Sequence, residues 1–256
     1  MQQQIQFPND FGENLAGTFH VPSRESRCGI ILGHCFTCSR HTRILHEISL
    51  TLVDKGFKVL RFDFSGNGQS EGDFSQSFYS KQIAEMKTAA SFMSAEGVSW
   101  IGLAGHSMGA VVALLAAGEM DSVKAVCTLA AKASARITTH FLSQSQIQEL
   151  QQTGHVHFIS RGRNLELTKN FFVDAEKYDL SSILASLPQP LLVVHGDQDE
   201  IIPVENAYQL HQYKPLNTDL AIITGADHMF SQDTHRRKVA ELVVQWFKRL
   251  ALEDIA

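Results

Sequence analysis

Short apolar, β-branched runs alternating with longer stretches of helical spacing predict an α/β fold, a mostly parallel sheet flanked by helices. A chain of 256 residues holds one sizeable domain and is too short for two ordinary ones with linkers. Hydrophobic content of 44% against 19% charged residues is that of a globular chain, without repeats or low-complexity tracts.

Taken in order, Ile5 to Phe7 and Leu15 to Val21 read as an opening antiparallel hairpin. Candidate core strands follow at Cys28 to Leu32, Lys58 to Phe64, Trp100 to Ala104 and Val123 to Leu129, with the last two at Leu191 to His195 and Leu220 to Thr224. These make eight strands. Helical spacing fills Arg43 to Lys55, Tyr79 to Ala95, Ala110 to Met120, Val204 to Tyr213 and Arg236 to Leu252. Lys55-Gly56 and Gly97 stand where helix C-caps belong. From about Lys132 to Leu187 the alternation breaks: the chain turns polar and carries Phe141, Leu142, Phe158, Phe171 and Phe172. The expectation is one domain over residues 1–256, with 132–187 inserted as a small helical lid, since a connection of that length is uncommon without a function.

Gly105-His106-Ser107-Met108-Gly109 lies between the run Trp100 to Ala104 and the helix formers from Ala110, which is the strand–turn–helix context a G-x-S-x-G nucleophile requires. A serine in a strained turn needs small neighbours, and the following helix aims its N-terminal N–H groups at developing negative charge. The alternative is a turn whose glycines serve packing alone. A nucleophilic serine also needs a base and an orienting carboxylate. His195-Gly196-Asp197-Gln198-Asp199-Glu200 follows one late strand, and Gly225-Ala226-Asp227-His228 follows the next. Both fall at the carboxyl ends of strands, where an open α/β sheet forms its crevice. Asp197 and Asp199 are both available as the acid. Asp227 is adjacent to His228, and neighbouring side chains diverge, so it is a poor orienter.

Asp63-Phe64-Ser65-Gly66-Asn67-Gly68-Gln69-Ser70 is not a dinucleotide fingerprint, because the third glycine of that pattern would fall at Glu71. Cys28, Cys35, Cys38 and Cys127 do not make a secreted disulfide framework. Cys35-Phe36-Thr37-Cys38 reads as structural or incidental free thiols, with a redox pair as the alternative; no second C-x-x-C or paired histidines support a metal. His155-Val156-His157 looks like strand or loop alternation rather than a ligand set. A net charge of -5 argues against nucleic acid or an anionic membrane as the main partner. No run of about 18 apolar residues predicts a membrane span. The first residues lack the basic and apolar regions of a signal, so the expected location is cytoplasmic.

In these motifs the chain resembles the α/β-hydrolase superfamily, especially lidded esterases and serine aminopeptidase-like hydrolases. The resemblance runs from the loop Gly33-His34-Cys35-Phe36-Thr37 through the D-x-x-G-x-G-x-S loop and the elbow to the acid and histidine loops. It implies Ser107 as nucleophile, His228 as general base and acid, and Asp199 as orienter, four residues before Pro203; Asp197 would bond the turn. It implies an oxyanion hole from the N–H groups of Phe36 and Met108, and a structural, pocket-lining role for the D-x-x-G-x-G-x-S loop. Cys35 replaces the family's usual glycine, which is tolerable only where no positive φ is needed. The stretch from Gly33 to Cys38 also resembles hydrolase domains found alone or fused to an osmotically-inducible-protein-C-like domain in bacteria.

The expected activity is hydrolysis of a small carboxylic ester with an apolar or aryl acyl group, without metal or organic cofactor, by a monomer or homodimer. Thioesterase or peptidase action would use the same residues, although the insertion lacks an acidic pair for a free amino terminus. A non-catalytic binding module and a C-x-x-C redox protein are the competing classes.

Overall fold

The computed structural model describes residues 1–139 and 141–255, so residue 140 of the expected insertion and residue 256 lie outside it. Two strands open the chain, β1 (Gln2–Pro8) and β2 (Asn14–His20), paired antiparallel. Then come β3 (Cys28–Gly33), α1 (Arg43–Asp54), β4 (Lys58–Phe62), α2 (Tyr79–Ala95), β5 (Trp100–His106), α3 (Met108–Ala117) and β6 (Val123–Leu129). The chain closes with β9 (Leu191–Gly196), α7 (Glu205–Tyr213), β10 (Thr218–Ile223) and α8 (Asp233–Ile255). The eight strands lie in the order β1-β2-β4-β3-β5-β6-β9-β10, and the six from β4 to β10 are parallel. This is the expected sheet.

Alternate residues of the central strands enter two different cores. Ile30, Leu32 and Val59 pack with α1 and α8 on one face, while Ile31, Leu60 and Leu103 pack with α2 and α3 on the other. Burial on both faces is why these strands read as near-continuous apolar runs. Helix α3 is buried on every side, consistent with its all-apolar sequence. Among the described residues no helix is long and apolar enough to cross a membrane.

Strand order reverses between β3 and β5, which opens a crevice at their carboxyl ends. Gly33 and Gly105 sit opposite each other there. A Cβ on Gly105 would lie 2.2 Å from the Gly109 carbonyl oxygen, and one on Gly109 would lie 2.4 Å from that of His34. The glycines around the serine therefore let helix α3 seat against both strands.

The segment between β6 and β9 corrects the expectation of a purely helical insertion. It contains α4 (Gln144–Thr153), an antiparallel hairpin of β7 (His155–Ser160) and β8 (Arg163–Thr168), and the short helices α5 (Lys169–Ala175) and α6 (Leu180–Ser186). Val156, Phe158, Leu165 and Leu167 are its buried, alternating positions. Polar residues between them dilute the apolar signal, although the period of two is present in the sequence. Arg161 and Gly162 form the two-residue turn with φ of 51° and 75°, both left-handed.

Candidate active site

Ser107 stands between β5 and α3 with φ 56° and ψ -119°, a conformation that a non-glycine residue holds only when its surroundings enforce it. Its N–H donates to Leu129 O at 2.8 Å, and its carbonyl accepts from Ala110 N at 3.0 Å. Strand β6 and the first turn of α3 thus fix the turn from both sides.

His228 follows β10, and its Nδ1 lies 2.8 Å from Asp199 Oδ2. Of the two available acids, the structure places Asp199 against the imidazole. Asp197 instead accepts from Gly225 N at 2.7 Å, the turn-bonding position expected of it. Asp227 accepts from Ser231 N at 2.7 Å and turns away from the imidazole partner. Asp199 Oδ1 also accepts from the N–H groups of Ile201 and Ile202, at 2.9 and 2.7 Å. Burial raises the Asp199 carboxyl, but hydrogen bonds from His195, His228 and Ile202 outweigh it and hold the group well below the usual carboxylate range.

Two histidines that the motif reading left without a role complete this arrangement. His195 Nε2 donates to Ile202 O at 2.8 Å and lies 3.2 Å from Asp199 Oδ2. His106 Nε2 donates to His228 O at 2.8 Å, so the residue before the serine anchors the main chain of the histidine loop. Burial foremost, with the neighbouring His228, lowers His106 to about 3 and keeps it neutral. Both residues were visible as histidines inside the motifs; their contacts depend on which way β5 and β9 point each ring.

The loop after β3 is held by His34, whose Nδ1 donates to Cys35 O at 2.8 Å while its Nε2 accepts from Phe64 N at 3.0 Å. Cys35 and Cys38 are joined in a disulfide, which corrects the expectation of free thiols. The backbone already brings them together, since Cys38 N donates to Cys35 O at 3.0 Å. The left-handed residue of this turn is Thr37, with φ 57°, not Cys35. The replacement of the family glycine therefore carries no positive-φ penalty. Asp63 of the D-x-x-G-x-G-x-S loop is buried, pairs with Arg40 and accepts from Gln69 N at 2.9 Å. A Cβ on Gly68 would lie 2.1 Å from Asp63 Oδ2.

Phe36, Ser107 and Met108 line one cavity of about 610 Å³. Phe141, Phe158 and Phe171 from the segment between β6 and β9 form its apolar wall with Phe36, whose ring centre is 5.5 to 6.0 Å from theirs. Thr37 Oγ1 and Ser160 Oγ are hydrogen-bonded at 2.8 Å, tying the β7–β8 hairpin to the Phe36 loop.

The fold and the strand-to-helix serine define the chain as an α/β-hydrolase. A model of the prolyl oligopeptidase family matches residues 44–253, and the chain belongs to that family. The esterase domain of a Rhodothermus marinus protein is 27% identical, with a TM-score of 0.75 over 97% of this chain and 98% of that one. Est1E from Butyrivibrio proteoclasticus with ferulic acid bound is 26% identical, with a TM-score of 0.76 over 98% and 99%. The uncharacterized protein YqkD of Bacillus subtilis is 25% identical over 248 residues, covering 92% of this chain and 77% of YqkD.

Proposed function

We propose that this hydrolase cleaves carboxylic esters with small apolar or aryl acyl groups, using Ser107 as nucleophile, His228 as general base and acid, and Asp199 as orienter. The observation that carries the reading is the buried Asp199–His228 pair, with the His228 main chain fastened to His106, the residue next to Ser107. Asp199 on Nδ1 leaves Nε2 of His228 to serve the serine. Ser107 Oγ attacks the acyl carbon as His228 takes its proton, and the N–H groups of Phe36 and Met108 receive the oxyanion. The C–O bond to the alcohol then breaks, and the alcohol leaves with the proton held by His228. Water, deprotonated by the same imidazole, attacks the acyl-enzyme, releasing the carboxylic acid and restoring Ser107.

The cavity lined by phenylalanines supports an apolar or aryl acyl group, and residues 132–187 act as its lid. The two esterase structures, one holding ferulic acid, support esters over peptides. A fluorophosphonate probe is expected to label the wild type and not Ser107→Ala, with kcat for a p-nitrophenyl ester falling at least about a thousandfold in that variant. Equal labelling of both proteins would remove Ser107 from the mechanism. A panel of p-nitrophenyl, feruloyl, thioester and prolyl-peptide substrates places the activity; faster peptide than ester cleavage would replace this reading with a peptidase.

A further inference from the structure

A second cavity, of about 520 Å³, borders the loops that carry Phe36 and His228, at Thr37 to Ser39 and at Met229 and Ser231. Arg43, Arg161, Arg163 and Arg236 line it with Thr37 and Met229, and among the described residues no carboxylate does. In a chain of net charge -5 this is a concentrated positive site. Arg236 is committed to Asp233 and to the Phe230 carbonyl, and Arg163 to Gly66 O and Asn67 Oδ1. Arg43 and Arg161 are exposed and have no carboxylate partner among the described residues. Arg43 opens the twelve-residue helix α1, whose first turn carries no acidic side chain and whose dipole adds to the positive field. Arg161 occupies a left-handed turn position of the β7–β8 hairpin, fixed at its neighbours by the Thr37–Ser160 bond and by Arg163 on the Gly66 loop. Burial is the main cause that lowers His34 and His106, and the Arg161 charge adds a smaller push in the same direction from this side.

The cavity adjoins both the acyl cavity and the histidine loop. Ser160 faces the acyl cavity while the next residue, Arg161, faces this one. Met229, the residue after His228, also lines this cleft, so it opens beside the loop whose imidazole must protonate the departing atom. We propose, on the reading of Ser107 and His228 given above, that this cleft binds a phosphate carried by the leaving group. The substrate class is then a carboxylic ester or thioester whose alcohol or thiol part bears a phosphate. Guanidinium forks match phosphate oxygens two at a time, and two unneutralised arginines match its two charges. In the reaction the acyl carbon's bond to the leaving oxygen or sulfur breaks, His228 protonates that atom, and the phosphate stays intact on the departing alcohol or thiol.

The test compares 4-(butanoyloxy)phenyl phosphate with its neutral dimethyl ester and with 4-(butanoyloxy)benzoate, following butyrate release. The phosphate is expected to exceed the dimethyl ester in kcat/KM by about tenfold, mainly through KM, with the benzoate in between. Arg43→Ala with Arg161→Ala is expected to bring the ratio near one, and raising salt to about 1 M to erode it in the wild type. Equal rates for phosphate and dimethyl ester, or a preference that survives the double substitution, would overturn the proposal; so would a benzoate gain equal to that of phosphate. If no ester is cleaved faster than by Ser107→Ala, the catalytic reading fails instead. Calorimetric titration of Ser107→Ala with 4-hydroxyphenyl phosphate then decides the cleft alone: binding lost on adding Arg43→Ala and Arg161→Ala supports it, and absence of binding overturns it.

Discussion

Three hydrogen bonds reach the Asp199 carboxylate, from the His228 ring and two main-chain N–H groups, and the His195 Nε2–H, bonded to Ile202 O, lies 3.2 Å away. A buried acid with that many donors stays ionised, and it can hold the His228 tautomer only while it does. Asp199→Asn keeps the shape and removes the charge, so kcat for an ester is expected to drop on the order of 10³- to 10⁴-fold while the fold persists. Steady-state kinetics with a circular dichroism melt checks this; an unchanged kcat would dismiss Asp199 as orienter. At this scale the sequence left Asp197 and Asp199 open until family resemblance chose between them. The choice is physical: Asp197 is drawn to Gly225 N, and only Asp199 faces the ring. The supporting contacts of His195 and His106 were not legible, because they depend on ring orientation across strands distant in sequence.

At the scale of elements, the turn between β5 and α3 works because three backbones meet without side chains between them. Gly109→Ala would put a methyl 2.4 to 2.5 Å from the carbonyl oxygens of His34 and Gly33, neither of which can yield without moving β3. A loss of about 3 kcal/mol is expected in urea unfolding, against about 1 kcal/mol for Gly162→Ala, which meets only open space and a left-handed φ. Similar losses for the two would show that the close seating of α3 is not what the elbow glycines provide. Most elements were legible because period and composition agree along β3 to β6 and α1 to α3. The β7–β8 hairpin was not, since it buries only alternate residues between charged and histidine positions. The Cys35–Cys38 bridge was hidden as well, because spacing alone does not tell a bonded turn from two thiols.

For the whole molecule, acid stability follows from the groups it buries. His106 is fully buried with its value lowered from 6.5 to about 3, and burial followed by Arg61 lowers His20 to about 4. The unfolded chain then binds more protons than the native one below about pH 6.5, so stability falls as pH falls from there toward these native values. His106 alone is expected to remove about 2 kcal/mol between pH 6.5 and pH 5, with His20 adding in the same direction. Asp199 contributes later and in the same sense: its depressed value stabilises above the ordinary carboxylate range, and that contribution is lost in stronger acid. Denaturant melts at both pH values check this, and His106→Gln should flatten the slope; a wild-type curve flat down to pH 5 would contradict it.

The hydroxyl bridge between Thr37 and Ser160 also couples the walls of the two cavities. One hydroxyl belongs to the wall of each cavity, and the residue before Thr37 carries a proposed oxyanion donor. A bulkier acyl group that shifts Ser160 therefore alters the room offered to the departing half, and the two preferences should not multiply independently. Kinetics on a grid of acyl and leaving groups is expected to show that non-additivity in the wild type and its disappearance in Thr37→Val. Specificity would then be a property of the pairing, set by one contact between the two walls rather than by either cavity alone.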